Sequence, residues 1–544
     1  MKNHYFKKLL AVVLAGTMML SFGGCSESDS SDSGEKTESS EETKETSEKK
    51  SKEEAGEKVV TALVAEGLNP DMADAIQSSE DMRLYEMVYE PLVKYGEGGE
   101  IEPCLAETWE ISEDGTTYTF HLREDVKFSD GSDFNADSVV MNTDRWLKDG
   151  FSSPLLEVNK VDDYTVEFVF QEAAYPCLIE LTYPRPYRML GESALDKDGN
   201  FKKMVGTGEW MIDSYEPEKE VVMVPNPYYY GEAPKVDKVI LKQVGDGQSR
   251  CMALQSGEAD ISISDIPTEN KTVIEGDDSL DTYEVDGSLA FFLIENYENP
   301  KLSDIKVRQA LNYAIDKQAI VDNLLDGEGT AATGLMTPNT PYVTEENSKG
   351  YEYDLEKAKT LLKEAGYEDT DGDGIVDQDG EALSFTLTFQ TEEYSAWKSV
   401  CEFIQSEYAK AGIGIELNQV ESGAYYDAIW DTRDFELIIY RTYEDSWNPH
   451  GFIKGMFYQG EGTKAVCWYD EQLSNNIADV LKKTDEKEKQ AGWDTIFKII
   501  DENAYTVPLY YPSVKYVYNK RLTGIEKAPT SYEAVEWNLL DKTE

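Results

Sequence analysis

The chain has 544 residues, with 51 Lys and Arg against 107 Asp and Glu, so its formal net charge is −56. Hydrophobic residues make up 40% of it, which excludes global disorder, and the length predicts two or three domains. So acidic a surface repels phosphate backbones, which argues against nucleic acid as a partner, and three histidines are too few for a multi-histidine metal cage.

Residues 1–25 are predicted to be a targeting segment. Lysines precede an apolar run from Leu9 to Phe22, which is shorter than the roughly 20 residues of a spanning helix and is typical of a signal peptide. The small residues before Cys25 resemble the lipobox of bacterial lipoproteins, although a Phe replaces the usual Leu. The resemblance implies a lipidated Cys25; an ordinary secretory signal with a chance Cys is the alternative.

Residues 26–58 are predicted to be a disordered acidic tether. They are rich in Ser, Glu and Lys and lack aromatic and β-branched aliphatic residues, so they cannot bury enough apolar surface to fold. Behind a lipidated Cys25, such a segment would hold a body that begins at Val59 on the extracytoplasmic face of the cell membrane. A disordered interaction tail is the alternative.

The body shows alternating strand patterns first and helical patterns later. Period-2 alternation predicts strands at 118–123 and 164–170, and further strands at 220–224 and 236–244. Amphipathic stripes predict helices within 304–325, 354–366 and 396–410, between strands at 384–390, 413–420 and 435–440. This alternation favours an α/β lobe.

The remaining cysteines carry no metal or framework pattern. No CxxC pair occurs, and an odd number remains, so neither a zinc site nor a full disulfide framework is predicted. Most are expected to be buried small hydrophobes, with one disulfide left open. These residues are Cys104, Cys177, Cys251, Cys401 and Cys467.

Several segments in order along the body resemble one family, the extracytoplasmic solute-binding proteins (family 5) of ABC importers for dipeptides, oligopeptides and nickel. The matching segments are Tyr89-Glu-Pro-Leu, Leu105 to Arg123, Val126-Lys-Phe-Ser-Asp-Gly, Gly206-Thr-Gly-Glu-Trp, Leu254 to Ile261 and Val307 to Lys317. Together they span most of the body, which makes the resemblance specific.

The resemblance implies a periplasmic-binding-protein-like two-lobed clamshell of type II, in the α/β class. Lobe 1 would comprise residues 59–287 and 507–544, with an extra β-rich subdomain, and lobe 2 residues 288–506. A ligand would bind in the cleft and be enclosed by hinge closure. Implied partners are a small-molecule or peptide ligand and the ABC permease and ATPase subunits, and the protein is expected to be a monomer.

Arg185 is the predicted carboxylate-binding residue of lobe 1. Leu181 to Arg188 resembles a segment of the nickel-type members, in which an Arg between two prolines faces the cleft and binds a ligand carboxylate. A guanidinium offers two parallel donors to a carboxylate, and flanking prolines stiffen the backbone. The alternative is a surface Arg in a Pro-rich turn.

Lobe 2 supplies the second set of predicted ligand residues, after its 435–440 strand. Tyr443 and Trp447 match aromatic cleft positions of the nickel-type proteins. Asp445 matches the spacing of an Asp that pairs with a peptide amine in the peptide-binding branch, and the nickel branch lacks it. The alternatives are a solvated loop charge for Asp445 and a core position for Trp447.

Direct metal ligation is not expected. A lone His450 before Gly is more often structural, and the loop around 458–463, where nickel-type proteins place a histidine, has none. A metal held in a small chelator needs no protein ligand, so a nickel chelate remains an alternative cargo.

An acidic loop has part of a calcium-binding pattern. Asp369, Asp371, Asp373 and Asp377 follow the spacing of a calcium loop, but Gly380 replaces the bidentate Glu. A structural Ca²⁺ and a plain acidic turn are the two interpretations; no other cofactor is expected.

The sequence shows no recognisable catalytic motif, so the protein is not predicted to be an enzyme. A glycosidase would need two carboxylates across one cleft, which a sequence cannot show. A chemosensory or adhesion protein with the same fold is a further alternative. The favoured cargo is a small zwitterion, a di- or oligopeptide, with an amino-acid-derived nickel or other metal chelate as the alternative.

Overall fold

The computed structural model describes residues 56–66, 68–70, 79–96, 100–149, 151, 153–184, 187–267, 270–394, 396–443, 449–460, 464–528 and 534–543. Residues 57–544 form one compact unit. The predicted signal peptide (1–25) and residues 26–55 of the predicted tether lie outside the described residues. Within the described ranges, no helix combines the length and apolar character that a bilayer crossing requires.

The first part of the body is rich in strands. Its helices and strands in chain order are β1 Val59–Val64, α1 Ser79–Val88, β2 Val93–Tyr95, β3 Ile101–Pro103, β4 Ala106–Ile111, β5 Thr117–Leu122, α2 Ala136–Asp149, β6 Leu155–Asp162, β7 Thr165–Phe170, α3 Cys177–Glu180, a 3₁₀ turn Glu192–Ala194, β8 Trp210–Glu216, β9 Glu220–Pro225, β10 Lys238–Gln243, α4 Gly247–Ser256, β11 Ile261–Ser262, α5 Lys271–Glu275 and β12 Leu280–Asp286.

The later part alternates helices with strands. Its elements are β13 Phe291–Glu295, a 3₁₀ turn Pro300–Leu302, α6 Ile305–Tyr313, α7 Lys317–Leu324, β14 Thr330–Ala331, α8 Leu355–Glu364, β15 Asp377–Gln378, β16 Glu381–Ala382, β17 Ser384–Phe389, α9 Trp397–Lys410, β18 Gly414–Gln419, α10 Ser422–Asp427 with a π-helical turn Ala428–Thr432, β19 Leu437–Arg441, α11 Pro449–Phe457, α12 Glu471–Val480, α13 Glu486–Glu502, β20 Thr506–Tyr511, β21 Ser513–Asn519, β22 Leu522–Thr523 and β23 Asp541–Lys542.

Two large sheets organise these elements. The first has seven strands in the order β12-β21-β11-β1-β10-β9-β8, and the second has six in the order β14-β20-β13-β19-β17-β18. A separate antiparallel sheet has the order β4-β5-β7-β6. The extra β-rich subdomain of the first lobe stays a prediction. In the second sheet, β17 pairs in parallel with β18, and α9 connects them as a βαβ crossover.

The chain passes between the two large sheets at two adjacent points. β12 pairs with β21 up to Asp286 and Ser513, and β13 pairs with β20 from Phe291 and Tyr510. Gly287 donates its N–H to the carbonyl oxygen of Pro512, and a Cβ on Gly287 would lie 2.2 Å from that oxygen. Only glycine therefore fits at this crossing.

Each large sheet has its own hydrophobic core. The first core surrounds Trp210 and Trp537, and the second surrounds Trp397 and Trp493. The predicted division into lobe 1 (59–287 and 507–544) and lobe 2 (288–506) stays a prediction. The observed sheets pass into each other at 287–290 and at Pro512, so Val507 lies in a strand of the second sheet.

The strands and helices predicted from periodicity are confirmed. The helix predicted from Asp354 begins at Leu355, and the Asp354 carboxylate accepts a hydrogen bond from the Lys357 N–H at 2.9 Å. The predicted helical pair divides into α6 and α7, capped in the same way by Asp304 and Asp316. The cysteines from Cys104 to Cys467 are all buried and free, so the single disulfide that the sequence allowed does not form among them.

Glu295 ends β13 as a buried acid. It is 0% exposed, and neither carboxylate oxygen has a hydrogen-bond partner among the described residues. Burial raises its pKa well above the usual value, and the positive charge of Arg308 opposes this. Arg308 donates to the carbonyls of Leu302, Ser303 and Asn503. Burial therefore favours the protonated form of Glu295 in the folded chain.

Replacing Glu295 should make stability less dependent on pH. Because the pKa of Glu295 in the folded state lies above 4.5, the carboxyl makes its full contribution to stability at pH values below 4.5. This contribution is lost as pH rises, by up to about 1.4 kcal/mol per pH unit. We expect urea unfolding from pH 5 to 9 to show a smaller decline for Glu295→Gln than for wild type. The exposed control Glu275→Gln should keep the wild-type slope; the same slope for Glu295→Gln would contradict the assignment.

Candidate functional site

The predicted ligand residues belong to two segments, one in each lobe. Arg185, Asp445 and Trp447 lie outside the described residues, as does the predicted lipidation site Cys25, whereas Tyr443 is described. The described residues flank both segments and define how each is held.

The segment that contains Arg185 is anchored by a buried Arg188. Its guanidinium donates to the carbonyl oxygens of Thr182 at 2.9 Å and Tyr183 at 3.1 Å. It also forms an ion pair with Glu86 of α1, and the two side chains are 2% and 9% exposed. The backbone just before Arg185 is thereby tied to α1.

The sequence interpretation did not identify Arg188 as a functional residue. Burial raises the pKa of Glu86, while the charge and hydrogen bond of Arg188 lower it. Next to Arg188, the Tyr187 ring stacks on Phe151 with centroids 4.6 Å apart. A basic residue in a largely apolar segment was the available signal, but its partner Glu86 is distant in sequence and only the fold shows it.

In lobe 2, β19 positions the second predicted segment. β19 pairs with β13 as far as Arg441, and the buried Thr442 exchanges two further hydrogen bonds with Ala290, each 2.9 Å. The guanidinium of Arg441 lies 5.9 Å from the centroid of the Tyr394 ring. The backbone is therefore held by the sheet as far as Thr442, one residue before Tyr443.

Tyr443 is the predicted ligand residue that the structure describes, and it packs against α11. Its ring meets Phe452 of α11 edge-on at 5.1 Å, and a Cβ on Gly455 would come within 2.8 Å of its hydroxyl. Burial raises the pKa of Tyr443, and Tyr183 of the first lobe is close enough to add to the effect. The phenol is neutral and lies near the predicted Arg185 segment.

His450 is a buried neutral imidazole. It is 0% exposed, and neither ring nitrogen has a hydrogen-bond partner among the described residues. Burial and the nearby charges of Lys454 and Lys489 lower its pKa from 6.5 to about 3. Its ring centroid lies 5.9 Å from that of Tyr175 in the first lobe. This environment agrees with the structural interpretation made from the sequence.

The acidic loop brings three of its four predicted calcium ligands together. Carboxylate oxygens of Asp369, Asp371 and Asp373 lie within 4.8 Å of one another and are exposed. Asp377 instead accepts hydrogen bonds from the N–H and hydroxyl of Thr370, at 2.9 and 2.7 Å. Calcium at this loop stays a prediction.

Comparisons with known proteins agree with the architecture. A model of the "Bacterial extracellular solute-binding proteins, family 5 Middle" matches residues 100–464. The nickel-binding periplasmic protein of Escherichia coli (strain K12) is 30% identical over 489 residues, covering 86% of this chain and 91% of that protein. The dipeptide-binding protein of the same strain is 30% identical over 442 residues, covering 75% and 78%.

A solved structure supports the same fold. NikA from Brucella suis in complex with Fe(III)-EDTA superposes with a TM-score of 0.81 at 27% identity, covering 89% of this chain and all (100%) of that one. The two-lobed α/β fold expected from the sequence is confirmed, as is the resemblance on which it rested.

Removing one partner of the Arg188–Glu86 pair should destabilise the protein strongly. Arg188→Leu leaves Glu86 buried without its partner, and we expect the free energy of unfolding in urea to fall by about 3–5 kcal/mol. The double variant Glu86→Leu/Arg188→Leu removes both charges and should recover most of this loss.

The exposed pair of Lys219 and Glu216 provides the control, since these side chains are 54% and 61% exposed. Lys219→Leu should cost less than about 1 kcal/mol. A Glu86→Leu/Arg188→Leu variant less stable than Arg188→Leu would show that the pair is not an energetic unit.

Proposed function

The chain belongs to the bacterial extracellular solute-binding proteins of family 5, and on this premise we propose that it captures a small zwitterionic ligand, a di- or oligopeptide, between its lobes. It would deliver this ligand to the permease of an ABC importer. The observation that carries the proposal is the 30% identity, over most of the chain, to proteins named for binding dipeptides and nickel. The proposed role is capture without catalysis, so the protein is not an enzyme.

Two fixed charges would recognise the ligand. Arg185 binds its carboxylate and Asp445 its amine, with Tyr443 and Trp447 as aromatic walls. The anchored flanks support this, because Arg188 holds the backbone before Arg185, and β19 with Thr442 holds the chain that precedes Asp445. In a closed, water-poor cleft such charge pairs are stronger than in water.

A nickel or other metal chelate is the second candidate cargo. The nickel-binding relative matches a larger share of this chain than the dipeptide-binding one, 86% against 75%. The Brucella suis structure contains a metal chelate. An amino-acid-derived chelate would present a carboxylate to Arg185 and the positive charge of its metal centre to Asp445, so the same two residues would serve either cargo.

The proposal includes a membrane anchor. Residues 1–25 would direct export, lipidated Cys25 would insert in the membrane, and residues 26–58 would hold the body on the extracytoplasmic face. The permease and ATPase subunits of the importer are the proposed partners. One chain supplies both sides of the cleft, so a monomer is sufficient.

Arg185→Ala and Asp445→Ala should each weaken ligand binding by about 2–5 kcal/mol, because each leaves a ligand charge buried without its partner. Isothermal titration calorimetry with a panel of dipeptides, and with nickel plus L-histidine, measures this and separates the two cargoes. Asp278→Ala removes an exposed carboxylate and should keep wild-type affinity.

Near-native affinity in both cleft variants would refute the site assignment. The same wild-type titrations should show saturable one-to-one binding, with the ligand recovered chemically unchanged. Turnover of the ligand would favour an enzyme instead.

A further inference from the structure

The two lobes meet through a contact that involves none of the predicted ligand residues. The loop between β7 and α3 belongs to the first lobe, and its Tyr175 is 6% exposed. The hydroxyl of Tyr175 lies 3.0 Å from that of Tyr342, in the loop between β14 and α8 of the second lobe. A tyrosine from each lobe therefore meets the other at a partly buried hydrogen bond.

Tyr342 is held rigidly on its own side. Its backbone has φ +69°, a region that non-glycine residues rarely occupy. Its carbonyl oxygen accepts from Asn347 at 2.9 Å and from Gln490 at 3.0 Å. Its ring stacks on Trp493 of α13 with centroids 6.0 Å apart, and its hydroxyl donates to Glu486 at 3.2 Å. The position of Tyr342 is fixed without any contribution from Tyr175.

Lys489 and His450 complete the site that receives Tyr175. The ammonium of Lys489 lies 3.9 Å from the centroid of the Tyr175 ring. Lys489 also forms an ion pair with Glu486 at 2.6 Å. A cation over an aromatic face is attractive, more so when both are desolvated. The centroid of the His450 ring lies 5.9 Å from that of the Tyr175 ring. We call Tyr342, Lys489 and His450 the tyrosine socket.

Charges around the socket are complementary across the lobes, although the whole chain carries −56. Glu172 of the first lobe pairs with Lys482 of the second at 2.8 Å. Glu172 and Glu180 also act on Lys454 of α11 by their charge. Acidic residues of one lobe thus face lysines of the other, which favours approach of the lobes.

We propose that Tyr175 is a latch residue whose insertion into the tyrosine socket stabilises the closed lobes and thereby sets ligand affinity. This rests on the proposed function only in taking closure to be the ligand-capturing step. Tyr175 lies shortly before Arg185 in sequence, and His450 shortly after Asp445. The contact between Tyr175 and the tyrosine socket therefore links the two segments that would bind the ligand. Movement of one segment toward the ligand would bring the other segment with it.

The latch also makes closure sensitive to pH. Among the described residues, Tyr175 contacts the His450 ring, and Lys454 and Lys489 act on it by their charge. Burial and these two charges favour the neutral imidazole, with its pKa lowered to about 3. Withdrawal of Tyr175 on opening would admit water to this ring and return the pKa of His450 toward its ordinary value near 6.5. Protonation of the open form then opposes closure, so affinity falls as pH decreases below about 6.5 and is fully retained above it.

Removal of the two hydroxyls in the full chain tests the latch. Tyr175→Phe and Tyr342→Phe each delete one side of the hydrogen bond and keep the ring. We expect each to raise the Kd for the dipeptide probes, or for nickel plus L-histidine, about two- to tenfold. The double variant should lose no more than the larger single effect. Tyr228→Phe, at a tyrosine that is 46% exposed, is the matched control. Unchanged affinity, or fully additive losses, would overturn the proposal.

Small-angle X-ray scattering without ligand separates the latch from the assignment of cargo. Tyr175→Ala should increase the radius of gyration of the ligand-free chain relative to wild type, while Tyr228→Ala should not. Equal values for Tyr175→Ala and wild type would overturn the latch. Failure of every probe to bind wild type would refute the proposed cargo and leave the scattering comparison decisive.

The pH dependence of ligand affinity is tested with His450→Gln, and with His450→Leu as a second variant if the first is unstable. Wild-type Kd should rise between pH 7.5 and 5.5, by up to about tenfold per unit below pH 6.5, and both variants should show a flatter profile. Identical profiles for wild type and the variants would show that His450 is not part of the latch.

Discussion

The connection between the two large sheets is the constraint on which the rest of the structure depends. β12 continues into β13 and β20 into β21 at adjacent positions, where Gly287 and Pro512 lie in close contact. Each sheet has its own core, so a rotation about these crossings would change the separation of the lobes without repacking either core. The closed population is therefore decided by the ligand and by contacts across the cleft.

The cost of burying charge limits how charged side chains can be placed in such a cleft. The chain is strongly acidic, and an isolated charge in a closed cleft is costly unless it has a partner. The first lobe illustrates the solution, because Arg188 and Glu86 neutralise each other in the interior and fix the backbone that leads to Arg185. A ligand with one positive and one negative end would meet the same requirement for Arg185 and Asp445.

The sequence predicted the helices and strands well because each follows from a pattern of residues close together in the chain. Alternation located β5 and β7, capping Asp354 located α8, and matched segments identified the family and the two-lobed fold. Contacts between distant residues were not accessible in this way. Periodicity shows which face of a strand is buried and not what lies against it, so the partner of Arg188 and the meeting of Tyr175 with Tyr342 appeared only in the fold. In the acidic loop, spacing grouped Asp377 with the other carboxylates, whereas its turn directs it to Thr370.

The closed cleft is proposed to recognise both ends of a zwitterion. Calorimetric titration of the wild-type chain with one dipeptide, and with the same dipeptide acetylated at its amine and amidated at its carboxylate, tests it most directly. We expect saturable binding of one free dipeptide per chain and loss of binding when both ends are blocked. Equal affinity for the free and the blocked peptide would contradict it.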